Sequence, residues 1–198
     1  MKKIAVVLSG CGHQDGSEIT ETVSALICLS QTGAKVVCFA PSHKIEDANK
    51  ISRGHTKPLG ELHPAEFDGL LLPGGFGAAK HLSDWADKGA KCTVLPELES
   101  ALKAFYEQQK PIAAICIAPA IVARVLGKKG IAVTLGEDSP ASAEIEKTGA
   151  VYETCPVTEY ISDRDHRILT SPAYMYDATP HEVFTGISKM IREFVEIA

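Results

Sequence analysis

The sequence predicts an α/β fold, with a mainly parallel sheet covered by helices on both faces. Three observations carry this. Four short runs, "IAVVL" (4–8), "KVVCFA" (35–40), "GLLL" (69–72) and "PIAAIC" (111–116), are rich in β-formers and apolar on both sides, as strands buried on both faces are. Amphipathic stretches with helical spacing lie between them. Strands alternating with helices imply right-handed crossovers and therefore parallel neighbours.

The elements follow in chain order. The first strand, 4–8, leads through a Gly-rich loop to a helix over 17–32 that Gly33 stops. That helix is expected to bury Ile19, Val23, Leu26 and Ile27. After the strand 35–40, residues 41–66 are rich in His, Gly and Pro and read as irregular surface. The strand 69–72 follows. Leu95, Leu98, Leu102 and Phe105 then form one helical stripe before the strand 111–116. Pro119 suits the start of the next helix. "IAVTL" (131–135) and "RILTS" (167–171) are further strand candidates, and "SDRDHR" (162–167) reads as a turn between two short strands. Phe184, Ile187, Ile191 and Phe194 repeat the helical stripe after Pro180.

Composition narrows the function. A chain of 198 residues without repeats or a linker reads as one domain, 1–198. The net charge of −5 comes without a Lys/Arg cluster, so nucleic acid and anionic membrane are not expected partners. The apolar run after Lys2 and Lys3 is shorter than the roughly 7–15 residues of a signal core, and nothing reaches the ~18 of a membrane span. A cytoplasmic protein with reduced thiols is expected. Its six cysteines form no CxxC pair. Cys28 and Cys38 fit apolar patterns and read as inert core residues. Cys11 and His13 offer only two metal ligands on a loop read as mobile, so no metal is expected.

Cys116 is different. It ends a buried strand, and in an open parallel sheet functional groups gather at the carboxyl ends of the strands. Ala114 and Ala118 flank it at the small positions of a nucleophile elbow, and Pro119 presets the first helical turn. A thiol facing a helix N-terminus is expected to have a lowered pKa. The plain alternative is one more buried cysteine. Pro73-Gly74-Gly75 follows another buried strand, and the Gly75 and Ile117 N–H groups are candidates for an oxyanion hole. Taken alone, the diglycine is equally a turn. On the helix 17–32, Glu21, Ala25 and Cys28 share the side opposite the apolar set. Glu21 is the candidate acid, under a close neighbour such as a second subunit, or else a solvated glutamate. Glu18 is the competing acid, one turn earlier.

Together, "PGGFGAA" and "AAICIAPA" resemble the ThiJ/PfpI superfamily, which has the class I glutamine-amidotransferase-like fold. The opening "VVLSGCGHQDGSEITETV", with "CTV", "CPV" and "TSPAYM", resembles its ElbB-like branch over nearly the whole chain. The resemblance implies a flavodoxin-like three-layer sandwich, a homodimer, a nucleophilic cysteine at Cys116 and an acid at Glu21. It also implies cofactor-free glyoxalase activity, with glyoxal going to glycolate or methylglyoxal to lactate. Two departures stand out. Ile117 occupies the position where protease-like relatives carry His, and the segment 41–66 is shorter than this branch leads one to expect.

The expected function is a glyoxalase III-type lyase acting on a small α-oxoaldehyde, without metal or organic cofactor. Cys116 would add to the aldehyde, Gly74, Gly75 and Ile117 would bind substrate and oxyanion, and Glu21 would move the proton. A glutaminase would need a histidine base, and neither His166 nor His181 is placed by pattern to face the elbow. The alternative is an amidotransferase-like or redox-responsive regulatory protein linked to isoprenoid biosynthesis, with no turnover of its own.

Overall fold

A computed structural model describes residues 1–198. Its nine strands are β1 Lys3–Val7, β2 Lys35–Ala40, β3 Thr56–Pro58, β4 Gly69–Leu72, β5 Ile112–Ile115, β6 Ala132–Val133, β7 Val151–Tyr152, β8 Ile161–Asp163 and β9 Ile168–Ser171. Its eight helices are α1 Ile19–Gln31, α2 Ile45–Ser52, α3 Phe76–His81, α4 Trp85–Lys88, α5 Pro96–Glu107, α6 Ala118–Leu126, α7 Pro140–Lys147 and α8 Pro180–Ile197. None is long and apolar enough to cross a membrane.

Seven strands form one sheet in the order β3-β2-β1-β4-β5-β9-β8. All neighbours are parallel except β8, which pairs antiparallel with β9 across the turn expected at 162–167. The chain winds outward from β1 to β3, then returns so that β4 lies on the other side of β1. The order therefore reverses between β1 and β4, and the loops leaving their carboxyl ends open a crevice where ligands bind in such folds.

The doubly apolar strands are explained by alternation. Ala5 and Val7, Leu70 and Leu72, and Ile112 and Ala114 pack with α3, α5 and α6 on one face. Ile4, Val6, Leu71, Ala113 and Ile115 pack with α1 and α8 on the other. With period-two geometry and a helix layer on each side, no position of Ile4–Val7, Gly69–Leu72 or Ile112–Ile115 is free to be polar.

The structure corrects three expectations. The strand read at 131–135 shortens to β6 and leaves the main sheet, pairing only with β7. Residues 41–66 contain α2 and the edge strand β3, whose pairing with β2 is invisible in its short, Pro-ended sequence. The buried side of α1 is the reverse of the one expected. Ile19, Val23 and Ile27 are 49%, 40% and 47% exposed, whereas Glu21, Ala25 and Cys28 are buried. Small side chains at Ala25 and Cys28 let α1 pack closely against α8 and the sheet together with Leu29 and part of Leu26, while Ile19, Val23 and Ile27 face outward.

Candidate active site

The elbow is present. Cys116 has φ 61°, a left-handed conformation that is rare for a residue with a side chain and is associated with functional sites. Its N–H donates to the Ser171 carbonyl of the next strand at 2.9 Å. Ala114 and Ala118 are fully buried, and α6 starts immediately after Ile117 with Pro119 in its first turn. The turn thus points the sulfur away from its own sheet.

The two glycines after β4 serve different needs. Gly75 has φ 95°, and a Cβ there would meet the Gly16 carbonyl at 2.3 Å. A Cβ on Gly74 would lie 2.4 Å from Cys116 Cβ and 2.7 Å from Glu21 Oε2. Only a bare backbone lets the β4 and β5 loops meet over the carboxyl group.

Glu21 has no exposed surface. Its Oε2 accepts from Gly74 N–H at 3.1 Å and its Oε1 from Tyr174 N–H at 3.3 Å. Its side chain also hydrogen-bonds to Cys116. Burial, followed by the nearby Glu18 charge, pushes the Glu21 carboxyl up to about 8, against the opposing pull of these three hydrogen bonds. The group is therefore mainly protonated at neutral pH and can donate.

Cys116 is 8% exposed. Burial, then the Glu21 carboxylate, pushes its thiol well above the ordinary cysteine range. The Gly75 and Ile117 N–H groups hydrogen-bond the sulfur and pull the other way. This corrects the lowered thiol pKa expected from the helix N-terminus, because desolvation in a closed packing site outweighs a partial charge worth typically 0.3–1 kcal/mol. The thiol and carboxyl titrate as a pair. A negative charge reaches the sulfur most readily while Glu21 keeps its proton.

Glu18 has a different position. Its carboxylate caps α1 by accepting from Glu21 N–H at 2.7 Å, and it also lines the cavity in front of Cys116. It stands beside the acid, with its backbone N–H tied to the Gly74 carbonyl at 3.0 Å. All the residues singled out from sequence, Cys116, Glu21, Gly74, Gly75, Ile117 and Glu18, thus converge at one place.

His13, Trp85, Tyr174 and Met175 also line this cavity and were not singled out. The loop carrying His13 was read as mobile but is pinned. Gly12 N–H donates to the Ser17 carbonyl at 2.8 Å, and Phe76 N–H donates to the His13 carbonyl at 2.7 Å. The available signal was topological, since this loop leaves the carboxyl end of β1 beside the strand-order reversal. His166 is elsewhere, paired with Asp163 at 2.9 Å. No group of three or more His, Cys, Asp or Glu side chains is placed to hold a metal ion.

The chain is similar to proteins with this architecture. A family model described as DJ-1/PfpI matches residues 2–175. The human glutamine amidotransferase-like class 1 domain-containing protein 3, mitochondrial, is 35% identical over 98% of this chain and 83% of its own length. The crystal structure of an isoprenoid biosynthesis protein with amidotransferase-like domain from Ehrlichia chaffeensis superposes with a TM-score of 0.93. It is 34% identical, covering 100% of this chain and 99% of that one. A glyoxalase III from Candida albicans superposes with a TM-score of 0.65 over 99% of this chain and 97% of its own. At 14% identity that likeness shows the fold alone. The family match runs through α1, the diglycine turn and the cysteine elbow, the three parts that meet at the site, and on that evidence this chain belongs to the DJ-1/PfpI family.

Proposed function

We propose that Cys116 and Glu21 form a cofactor-independent glyoxalase III-type centre that converts an α-oxoaldehyde to the 2-hydroxy acid. The observation that supports this is a fully buried carboxyl, protonated near neutrality, hydrogen-bonded to a sulfur at the floor of a cavity. With glyoxal, the Cys116 thiol gives its proton to solvent, the thiolate adds to one aldehyde carbon, and Glu21 gives its own proton to the resulting oxyanion. Once sulfur is a neutral thioether, the Gly75 and Ile117 N–H groups are free to hold that oxygen. The Glu21 carboxylate then takes the proton from the hemithioacetal carbon, giving an enediolate, and delivers it to the neighbouring carbon, while the hydroxyl proton on the first oxygen passes to the second. The result is a thioester of glycolate. Water hydrolyses it to glycolate and the thiol, the proton released by the new carboxylic acid returning to Glu21, so the sum is glyoxal plus water to glycolate and a proton.

The relatives favour the second reading. Two that are 34–35% identical carry amidotransferase-like descriptions, one of them of isoprenoid biosynthesis, and the glyoxalase resembles this chain in fold alone. In that reading Cys116 is a reactive thiol whose modification is sensed by a partner, without turnover. Purified protein incubated with glyoxal decides between them. Glycolate formed over many turnovers is expected. Stoichiometric modification of Cys116 with no glycolate would replace the enzyme by the regulatory thiol.

A homodimer is part of the proposal, supported by the exposed stripe of Ile19, Val23 and Ile27 on α1. Sedimentation velocity is expected to show a dimer for the wild type and a monomer for Ile27→Lys. A monomeric wild type, or a dimeric variant, would mean that this face is not the interface.

A further inference from the structure

The cavity in front of Cys116 is large for glyoxal or methylglyoxal. Its volume is about 480 Å³. That lies in the range of roughly 300–1,000 Å³ that holds drug-sized ligands, whereas one water accounts for about 30 Å³ in the liquid. Glyoxal, with its four heavy atoms, would leave most of this space to solvent. The wall is apolar, and 9 of its 12 residues are hydrophobic. Trp85 is buried and presents its surface from α4, Phe76 stands exposed at the rim on α3, and Ile117 and Met175 complete the apolar side.

No lysine or arginine lines the cavity, and Glu18 is the carboxylate in its wall, beside His13 and Tyr174. An anionic substrate would approach the Glu18 carboxylate with no guanidinium or ammonium to receive it. An α-amino acid such as glutamine would likewise bring a carboxylate without a partner.

We propose that this pocket selects neutral electrophiles with an apolar or aromatic substituent, so that it turns over aryl or branched-alkyl α-oxoaldehydes in preference to glyoxal and disfavours anionic oxoacids. The word "substrate" rests on the glyoxalase reading. The selectivity of the pocket for neutral, apolar electrophiles does not. Cys116 lines the cavity with Glu21 buried behind it, so that a small aldehyde head reaches the sulfur while its substituent lies against Trp85 and Met175. Seating a ring or branched chain there is expected to raise kcat/KM by about 10- to 100-fold, the usual effect of a few buried apolar groups.

Two measurements on the full chain test this. The first compares kcat/KM for phenylglyoxal, 4-carboxyphenylglyoxal and glyoxal. Phenylglyoxal is expected to lead glyoxal by about 10-fold or more, with the carboxylated analogue well behind phenylglyoxal. Trp85→Phe and Trp85→Ala are expected to lower the phenylglyoxal-to-glyoxal ratio in that order, the conservative variant keeping much of it. The second needs no turnover. Cys116 is alkylated by N-benzyliodoacetamide, iodoacetamide or iodoacetate, sulfur displacing iodide and the thiol proton passing to solvent. Each rate is divided by that reagent's rate with free cysteine and mapped by mass spectrometry. The benzyl reagent is expected to be fastest and iodoacetate slowest. If that order appears with no turnover of any oxoaldehyde, the selectivity stands and the glyoxalase reading fails. If glyoxal is turned over as well as phenylglyoxal and the normalised alkylation rates are equal, the glyoxalase reading stands and the selectivity is wrong.

Discussion

Cys116→Ser is expected to abolish glycolate formation from glyoxal, and Glu21→Gln to lower kcat by about 10²–10⁴, the usual size of a lost general acid or base. Serine keeps the elbow but offers an alcohol with no comparably accessible anion. Glutamine keeps the shape of glutamate but cannot carry the proton. It also has one acceptor oxygen for the two backbone N–H groups of Gly74 and Tyr174 that Glu21 receives. Its thermal unfolding must therefore be recorded beside its kinetics. Glu18→Gln separates the two acids. The Glu18 charge is among the causes that raise Glu21, so removing it should leave most of kcat while moving the pH profile of kcat/KM to lower pH. Steady-state glycolate formation by the three variants checks this. An inactive Glu18→Gln beside a fully active Glu21→Gln would exchange the roles of the two carboxyls. Wild-type rates in all three would remove the glyoxalase reading altogether.

The second large effect is on stability. Glu21 is held at about 8 in the folded chain against an ordinary value of 4.5. Between those values the folded state keeps a proton that the unfolded state has released. Each unit rise in pH then favours unfolding by about 1.4 kcal/mol. The stability contributed by the neutral carboxyl is complete below about 4.5 and is lost as pH rises through about 8, a fall on the order of 4–5 kcal/mol. Urea unfolding of wild type and Glu21→Gln, measured at intervals across that window, isolates this carboxyl. The wild type should lose stability relative to the variant as pH rises. Any constant offset from the missing acceptor cancels in the slope. A difference independent of pH would mean that Glu21 is ionised in the folded protein.

The sequence by itself determined the sheet and the elbow. These are local statements. A doubly apolar run such as "GLLL" has one economical home between two helix layers, and a cysteine between small residues before a proline has one plausible turn. The tertiary structure decided what depends on neighbours distant in the chain. The apolar periodicity of α1 pointed to Ile19, Val23 and Ile27 as the buried side, yet close packing against α8 selected the face with Ala25 and Cys28 and carried Glu21 inside with them. The same burial reversed the expected shift of the Cys116 thiol, because desolvation is set by the surrounding packing and not by the residues next in sequence. His13, Trp85, Tyr174 and Met175 lie on four separate segments, and only the reversal of strand order between β1 and β4 brings loops of this kind to one crevice. Periodicity shows that a helix has two sides. Which side is buried is settled by the shape of what it packs against, and at α1 that choice placed the carboxyl beside the sulfur.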